Sequence, residues 1–196
     1  MSHGHDPGPR RIVLVGFMAA GKTTVGAELA ARLGWELVDF DSIVAARTGG
    51  SAGALIRAQG VAALRAMEEE ITGDVADRDR VILAPGGGWA TTPGLAQRLG
   101  PGTLQVWLRV SAAEAVRRAA ADAVDRPLLE VTTDRRGGSE LDHAASLLRE
   151  REPWYAAADM VVDVDGKAPG TVAEEILGRL GITREDDEQE EEPDHR

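Results

Sequence analysis

Gly16-Phe17-Met18-Ala19-Ala20-Gly21-Lys22-Thr23 fits the phosphate-loop pattern G-x-x-x-x-G-K-[ST]. The apolar, β-branched run before it, Ile12-Val13-Leu14-Val15, reads as a buried parallel strand. After it, Thr24 to Leu33 carries Val25, Leu29, Ala30 and Leu33 at helical spacing, and Gly34 closes the helix. Strand, glycine loop and helix is the context that the motif requires. Gly16 and Gly21 let the backbone turn so that successive N–H groups face phosphate oxygens. The helix start adds its positive dipole, Lys22 can reach the β- and γ-phosphates, and the Thr23 hydroxyl can ligate Mg²⁺. The bland alternative is a strand-to-helix turn with a chance lysine, which the flanking strand and helix argue against. The chain is expected to bind a nucleoside triphosphate.

The 196 residues suit one domain with a sizeable core. There is no cysteine, which excludes disulfides and cysteine-zinc sites. No apolar run approaches a membrane span, and the N-terminus has no signal-peptide hydrophobic region, so a cytoplasmic protein without a membrane partner is expected. Of the net charge of −11, the segment Arg184 to Arg196 holds −6 and the body from Arg11 to Thr183 only −5. That balance offers no basic surface for nucleic acid. Residues 1–10, rich in Gly, Pro and His, read as a disordered leader, and 184–196 as a disordered acidic tail, leaving one domain over 11–183. Lys22 and Lys167 are the only lysines against twenty arginines, so lysine is kept where phosphate chemistry asks for it.

Further along, Glu36 to Phe40 reads as a second strand that delivers Asp39 and Asp41 at its carboxyl end, where open parallel sheets bind ligands. Asp41 before Ser42 also suits a helix cap. Short helices are expected over Ser42–Arg47 and Ser51–Ala58. A longer one is expected over Val61–Val75, with Leu64, Met67, Ile71 and Val75 on one face and most of the acids Glu68 to Glu70 solvated. Val81–Ala84 is a third strand running into Pro85-Gly86-Gly87-Gly88. Three glycines there mean either positive φ or something that approaches the backbone closely. A short helix is expected from Pro93 to Leu99, a fourth strand over Thr103–Leu108, and a capping box at Ser111 and Glu114. Periodicity fails from about 119 to 140, which reads as a lid. Helix resumes from Leu141 and breaks at Pro153, Met160–Val164 is the fifth strand, and Pro169 opens the last helix. The alternation of strands and helices gives an α/β fold with a doubly wound parallel sheet.

Taken in order, these motifs resemble the shikimate kinase family, of the nucleoside-monophosphate-kinase-like branch of phosphate-loop proteins. The residues that carry the resemblance are the phosphate loop, Asp39-x-Asp41, Arg65 followed by Glu68-Glu69, Gly86-Gly87-Gly88, Arg126-Pro127-Leu128-Leu129 and Arg151-x-Pro153-x-Tyr155. It spans about Arg11 to Leu180. The resemblance implies a three-layer fold, a five-stranded parallel sheet flanked by helices with a mobile lid, and transfer of the γ-phosphoryl group of ATP to the 3-hydroxyl of shikimate with Mg²⁺. It further implies nucleotide contacts from Gly16, Met18, Ala19, Ala20, Gly21, Lys22, Thr23 and Thr24, with Arg118 and Lys167 farther along and Arg117 as a competitor to Arg118 at adenine. Thr23 and Asp39 would serve the metal. Asp41 would orient the attacking hydroxyl and receive its proton, Arg65 and Arg151 would clamp the carboxylate, and Gly86, Gly87 and Gly88 would border the acceptor. Lys22, Asp41 and Arg126 would act on the reacting groups, Arg126 by neutralising charge on the transferring phosphoryl group.

This chain also departs from the pattern that the family implies. Val61 stands where the family usually has Glu, and Leu64 and Ile56 stand where it usually has Phe. Trp89 replaces a smaller residue and is expected to refill the acceptor pocket. The rival readings are a gluconate-type kinase on the same fold and a nucleotide-binding module without turnover; a monomer is expected to go with the kinase reading.

Overall fold

The computed structural model describes residues 8–121 and 139–182. Arg126, most of the lid stretch and the acidic tail lie outside them. Within them the elements run β1 (Arg11–Val15), α1 (Lys22–Leu33), β2 (Glu36–Asp39), α2 (Phe40–Thr48), α3 (Ala52–Gln59), α4 (Val61–Val75), β3 (Val81–Ala84), β4 (Thr103–Arg109), α5 (Ala112–Ala121), α6 (Glu140–Tyr155), β5 (Met160–Asp163) and α7 (Pro169–Arg179).

The strands form one five-stranded sheet in the order β2-β3-β1-β4-β5, with every neighbouring pair parallel. β1 and β3 are buried along their whole length, which is why both read as unbroken apolar runs rather than alternating ones. The one charge in β1, Arg11, is 3% exposed and fully partnered. It donates to the Thr103 hydroxyl (3.0 Å) and to the carbonyls of Arg78 (3.0 Å) and Pro101 (3.1 Å), closing the amino end of the sheet. Helices flank the sheet: α1 packs on β1, β2, β3 and α7, while α3 pairs with α4 and α5 with α6.

From central β1 the chain winds outward to β2, returns to β3, and then crosses to the other side for β4 and β5. That reversal puts the carboxyl ends of β1, β2 and β3 beside one another at a switch point. Asp39, the last residue of β2, lies in register with Ala84, the last of β3. Gly16 follows β1 so close to β4 that a Cβ there would stand 2.6 Å from the Leu108 carbonyl oxygen.

Several local expectations give way to the structure. β2 stops at Asp39, and Phe40 already opens α2; the cap is Asp39, which accepts from the Ser42 N–H at 2.7 Å, while Asp41 sits in the first turn. The stretch after the glycines is two 3₁₀ turns, Trp89–Thr91 and Ala96–Leu99, not one helix from Pro93. The Ser111 hydroxyl accepts from the Glu114 N–H (3.2 Å), but the Ser111 N–H donates to Asp165 (3.0 Å) because the Glu114 carboxylate is taken up by arginines. The reciprocal box forms instead at the start of α6, between Ser139 and Asp142. α6 also runs through Pro153 to Tyr155. The lost N–H falls in the last turn, the ladder resumes with the Ala156 N–H on the Glu152 carbonyl (2.9 Å), and the buried Tyr155 ring holds the end.

Candidate active site

The phosphate loop leaves β1 and returns into α1 through two left-handed backbone positions, Ala19 at φ 58° and Gly21 at φ 91°. Left-handed backbone at Ala19 costs on the order of 1 kcal/mol, a strain that anion-binding loops tolerate to aim their N–H groups inward. Lys22 folds back over the loop, its Nζ donating to the carbonyls of Gly16 (3.1 Å) and Phe17 (3.0 Å). The Thr23 hydroxyl donates to Asp39 Oδ2 at 2.5 Å, joining the first residues of α1 to the end of β2.

A cavity of about 810 Å³ runs from this loop in both directions. On one side lie Arg118, Lys167 and Pro169. Arg118 is drawn onto the loop: it donates to Glu114 (2.7 Å), to the Val164 carbonyl (2.7 Å) and, more weakly, to the Ala19 and Ala20 carbonyls (3.5 and 3.4 Å). Arg117 also reaches the cavity wall, but both of its bonds go to Glu114 and its side chain is 68% exposed. Hydrogen bonds from Arg117 and then Arg118 hold the Glu114 carboxyl down to about 2. Of the two arginines, Arg118 is the one placed over the loop. Lys167 pairs with Glu175 at 2.6 Å.

On the other side the cavity meets Asp41, Arg65, Gly86, Gly87, Gly88 and Arg151, with Ile56, Leu64 and Met18 as its apolar wall. The glycines all keep ordinary φ, so the positive-φ alternative is excluded. Close approach explains them. A Cβ on Gly88 would stand 1.8 Å from Arg65 Nη2, and one on Gly86 would stand 2.4 Å from Glu68 Oε1. The pair that presses on them is the ion pair of Arg65 with Glu68, one turn apart on α4. Glu69 and Glu70 face solvent as expected of most of this acidic run, and Glu68, only 1% exposed, is the exception. Burial pushes the Glu68 carboxyl up, against the lowering effect of Arg65. The signal for its burial was in the sequence, since Glu68 falls on the same helical stripe as Leu64, Ile71 and Val75.

Among the expected site residues, Met18 to Thr24, Asp39, Asp41, Arg65, Gly86 to Gly88, Arg118, Arg151 and Lys167 all line this one cavity. Gly16 lies just behind it, and Arg126 falls outside the described residues. Trp89 does not line it. Its indole is wholly buried in the core and donates to the Thr72 hydroxyl at 2.9 Å, so it refills none of the acceptor space. Sequence reasoning also missed the Tyr155 hydroxyl, which donates to the Gly87 carbonyl.

A phosphate loop that shares one cavity with an aspartate and two arginines fits a nucleoside triphosphate at one end and a small acidic acceptor at the other. That arrangement on a parallel sheet defines the phosphate-loop kinases of small molecules. A family model described as shikimate kinase matches residues 18–181. The chain is 40% identical over 172 residues to the shikimate kinase of Moorella thermoacetica, covering 88% of this chain and 95% of that one. The solved structure of shikimate kinase from Acinetobacter baumannii in complex with shikimate superposes with a TM-score of 0.79 at 30% identity, covering 89% and 94% of the two chains. The chain belongs to the shikimate kinase family. A gluconokinase from Sinorhizobium meliloti shares the fold alone, with a TM-score of 0.60 at 18% identity. Among the described residues no helix is long and apolar enough to cross a membrane.

Proposed function

We propose that this chain transfers the γ-phosphoryl group of ATP to the 3-hydroxyl of shikimate, giving shikimate 3-phosphate and ADP, as a cytoplasmic monomer serving aromatic amino-acid synthesis. The observation that carries the reading is that the phosphate loop and the set Asp41, Arg65 and Arg151 open into one cavity. The loop N–H groups and Lys22 hold the phosphates, and Arg118 and Lys167 border the rest of the nucleotide. Arg65 and Arg151 take the acceptor carboxylate, for which a guanidinium fork has matched geometry. Asp41 accepts from the attacking hydroxyl and receives its proton as the new oxygen–phosphorus bond forms and the bond to the ADP oxygen breaks. Arg126 is assigned to neutralise charge on the moving phosphoryl group.

Thr23 and Asp39 fit Mg²⁺, because their facing oxygens are hard donors at the cavity wall, and such a site takes its remaining ligands from phosphate and water. When bound, the ion would neutralise charge on the nucleotide phosphates. The protein's own part is positioning and water exclusion.

A coupled ADP-release assay over shikimate, gluconate and neutral polyols tests the reading. Turnover of shikimate well above the other acceptors is expected. Equal or faster turnover of gluconate or of a neutral polyol overturns the acceptor assignment, and no ADP release with any acceptor would leave a nucleotide-binding module.

A further inference from the structure

Tyr155 is the only tyrosine in the chain and stands wholly out of solvent at the end of α6. Its ring packs against Trp107 of β4, with centroids 6.0 Å apart and planes tilted by 34°. A phenol in so apolar a place needs partners for its hydroxyl, and this one has two that matter to the cavity. It donates to the Gly87 carbonyl, 68 residues earlier in the chain, and the Arg151 guanidinium, one helical turn back, is close enough to act on it electrostatically. The O–H serves Gly87, and the oxygen keeps lone pairs that a guanidinium can approach. Burial pushes the phenol up, with Arg151 opposing, so the group keeps its proton at neutral pH and remains a donor.

Gly87 and Arg151 both line the acceptor end of the cavity. The far side of the glycine loop is fixed by Trp89, whose indole N–H is tied to Thr72 on α4. The loop is therefore strapped between α4, which carries Arg65, and α6, which carries Arg151. We propose that the Tyr155 hydroxyl is a positioning residue for the acceptor: it sets the Gly87 peptide plane and the Arg151 guanidinium at once, and so fixes the geometry in which a hydroxylated carboxylic acid is held. Without it, both groups must be ordered by the incoming acid, and acceptor affinity falls while nucleotide affinity does not. This rests on the acceptor reading given above.

Tyr155→Phe keeps the ring and removes only the hydroxyl. It should raise the KM for shikimate by about 3- to 12-fold, as expected for one hydrogen bond, and leave the KM for ATP within about twofold. On an Arg151→Ala background the same change should have less effect, because one of the two groups it positions is gone. A purely structural hydroxyl would instead move both KM values together with the melting temperature. A second measurement needs no substitution: 3-fluorotyrosine incorporation labels Tyr155 alone, and its single ¹⁹F resonance should move on adding shikimate and stay in place with an ATP analogue. An unmoved resonance overturns the inference even if the phenylalanine variant fails to fold. A wild type that turns over shikimate, with an unchanged shikimate KM in Tyr155→Phe, overturns this inference alone. A wild type inactive on shikimate overturns the acceptor reading and this inference with it.

Discussion

Arg65 and Arg151 look interchangeable as carboxylate ligands, but their surroundings separate them. Arg65 is held by the buried Glu68, whereas Arg151 lies near the Tyr155 hydroxyl on α6. Replacing either by Ala should raise the KM for shikimate far more than that for ATP. A charge-assisted hydrogen bond is worth about 1.5–3 kcal/mol, so a loss of roughly 10- to 150-fold in kcat/KM is expected. Equal effects on both substrates would place these arginines at the nucleotide or in the fold. Arg65→Ala has a second consequence, because it strands Glu68. The Glu68 carboxyl is already raised above its ordinary 4.5 by burial, so its protonated form is the one that folding favours. That contribution is present below the ordinary value and is lost as pH rises through the raised one. Removing the lowering influence of Arg65 enlarges the raise. The melting-temperature gap between wild type and Arg65→Ala should therefore widen from about pH 5 to about pH 8, while the gap for Arg151→Ala stays level. A gap independent of pH would show that Glu68 finds another cationic partner.

The loop after β3 shows how one element serves two helices. Its glycines are required by what lies against them, so Gly88→Ala must push the Arg65 guanidinium aside. The KM for shikimate should rise roughly tenfold or more, the lower end of losing one charge-assisted bond, with the KM for ATP near the wild-type value. A wild-type shikimate KM in that variant would mean that Arg65 needs no fixed orientation. The same scale shows why element ends were less legible than elements. Caps depend on which side chain wins a given N–H: Asp39 rather than Asp41 caps α2, and Asp165 rather than Glu114 serves Ser111. Pro153 reads as a helix stop from local rules, yet the burial of Tyr155 two residues later keeps α6 going.

At the scale of the whole molecule, the proposed nucleotide and acceptor residues among the described ones line one cavity. The segment from Arg184 to Arg196 carries eight acids and almost no apolar side chain, so it has little to contribute to that body. Deleting it should leave the melting temperature and both KM values nearly unchanged; a drop of several degrees would show that the segment docks. Sequence alone determined the sheet, the phosphate loop and the residues that would meet at the site. The sheet and the loop follow from apolar runs fit only for a doubly buried strand, from the helical period, and from a glycine spacing that phosphate binding demands, whereas the expected site residues follow from the resemblance to the family. Tertiary structure alone decided which of those residues are held, and by what. Trp89 turns into the core toward Thr72, Arg118 rather than Arg117 lies over the loop, and Tyr155 reaches back to Gly87. Each of these depends on a partner many residues away or on the side of a helix that a neighbouring element covers. Local pattern does not encode such pairings, because a side chain's partner is set by how the elements pack.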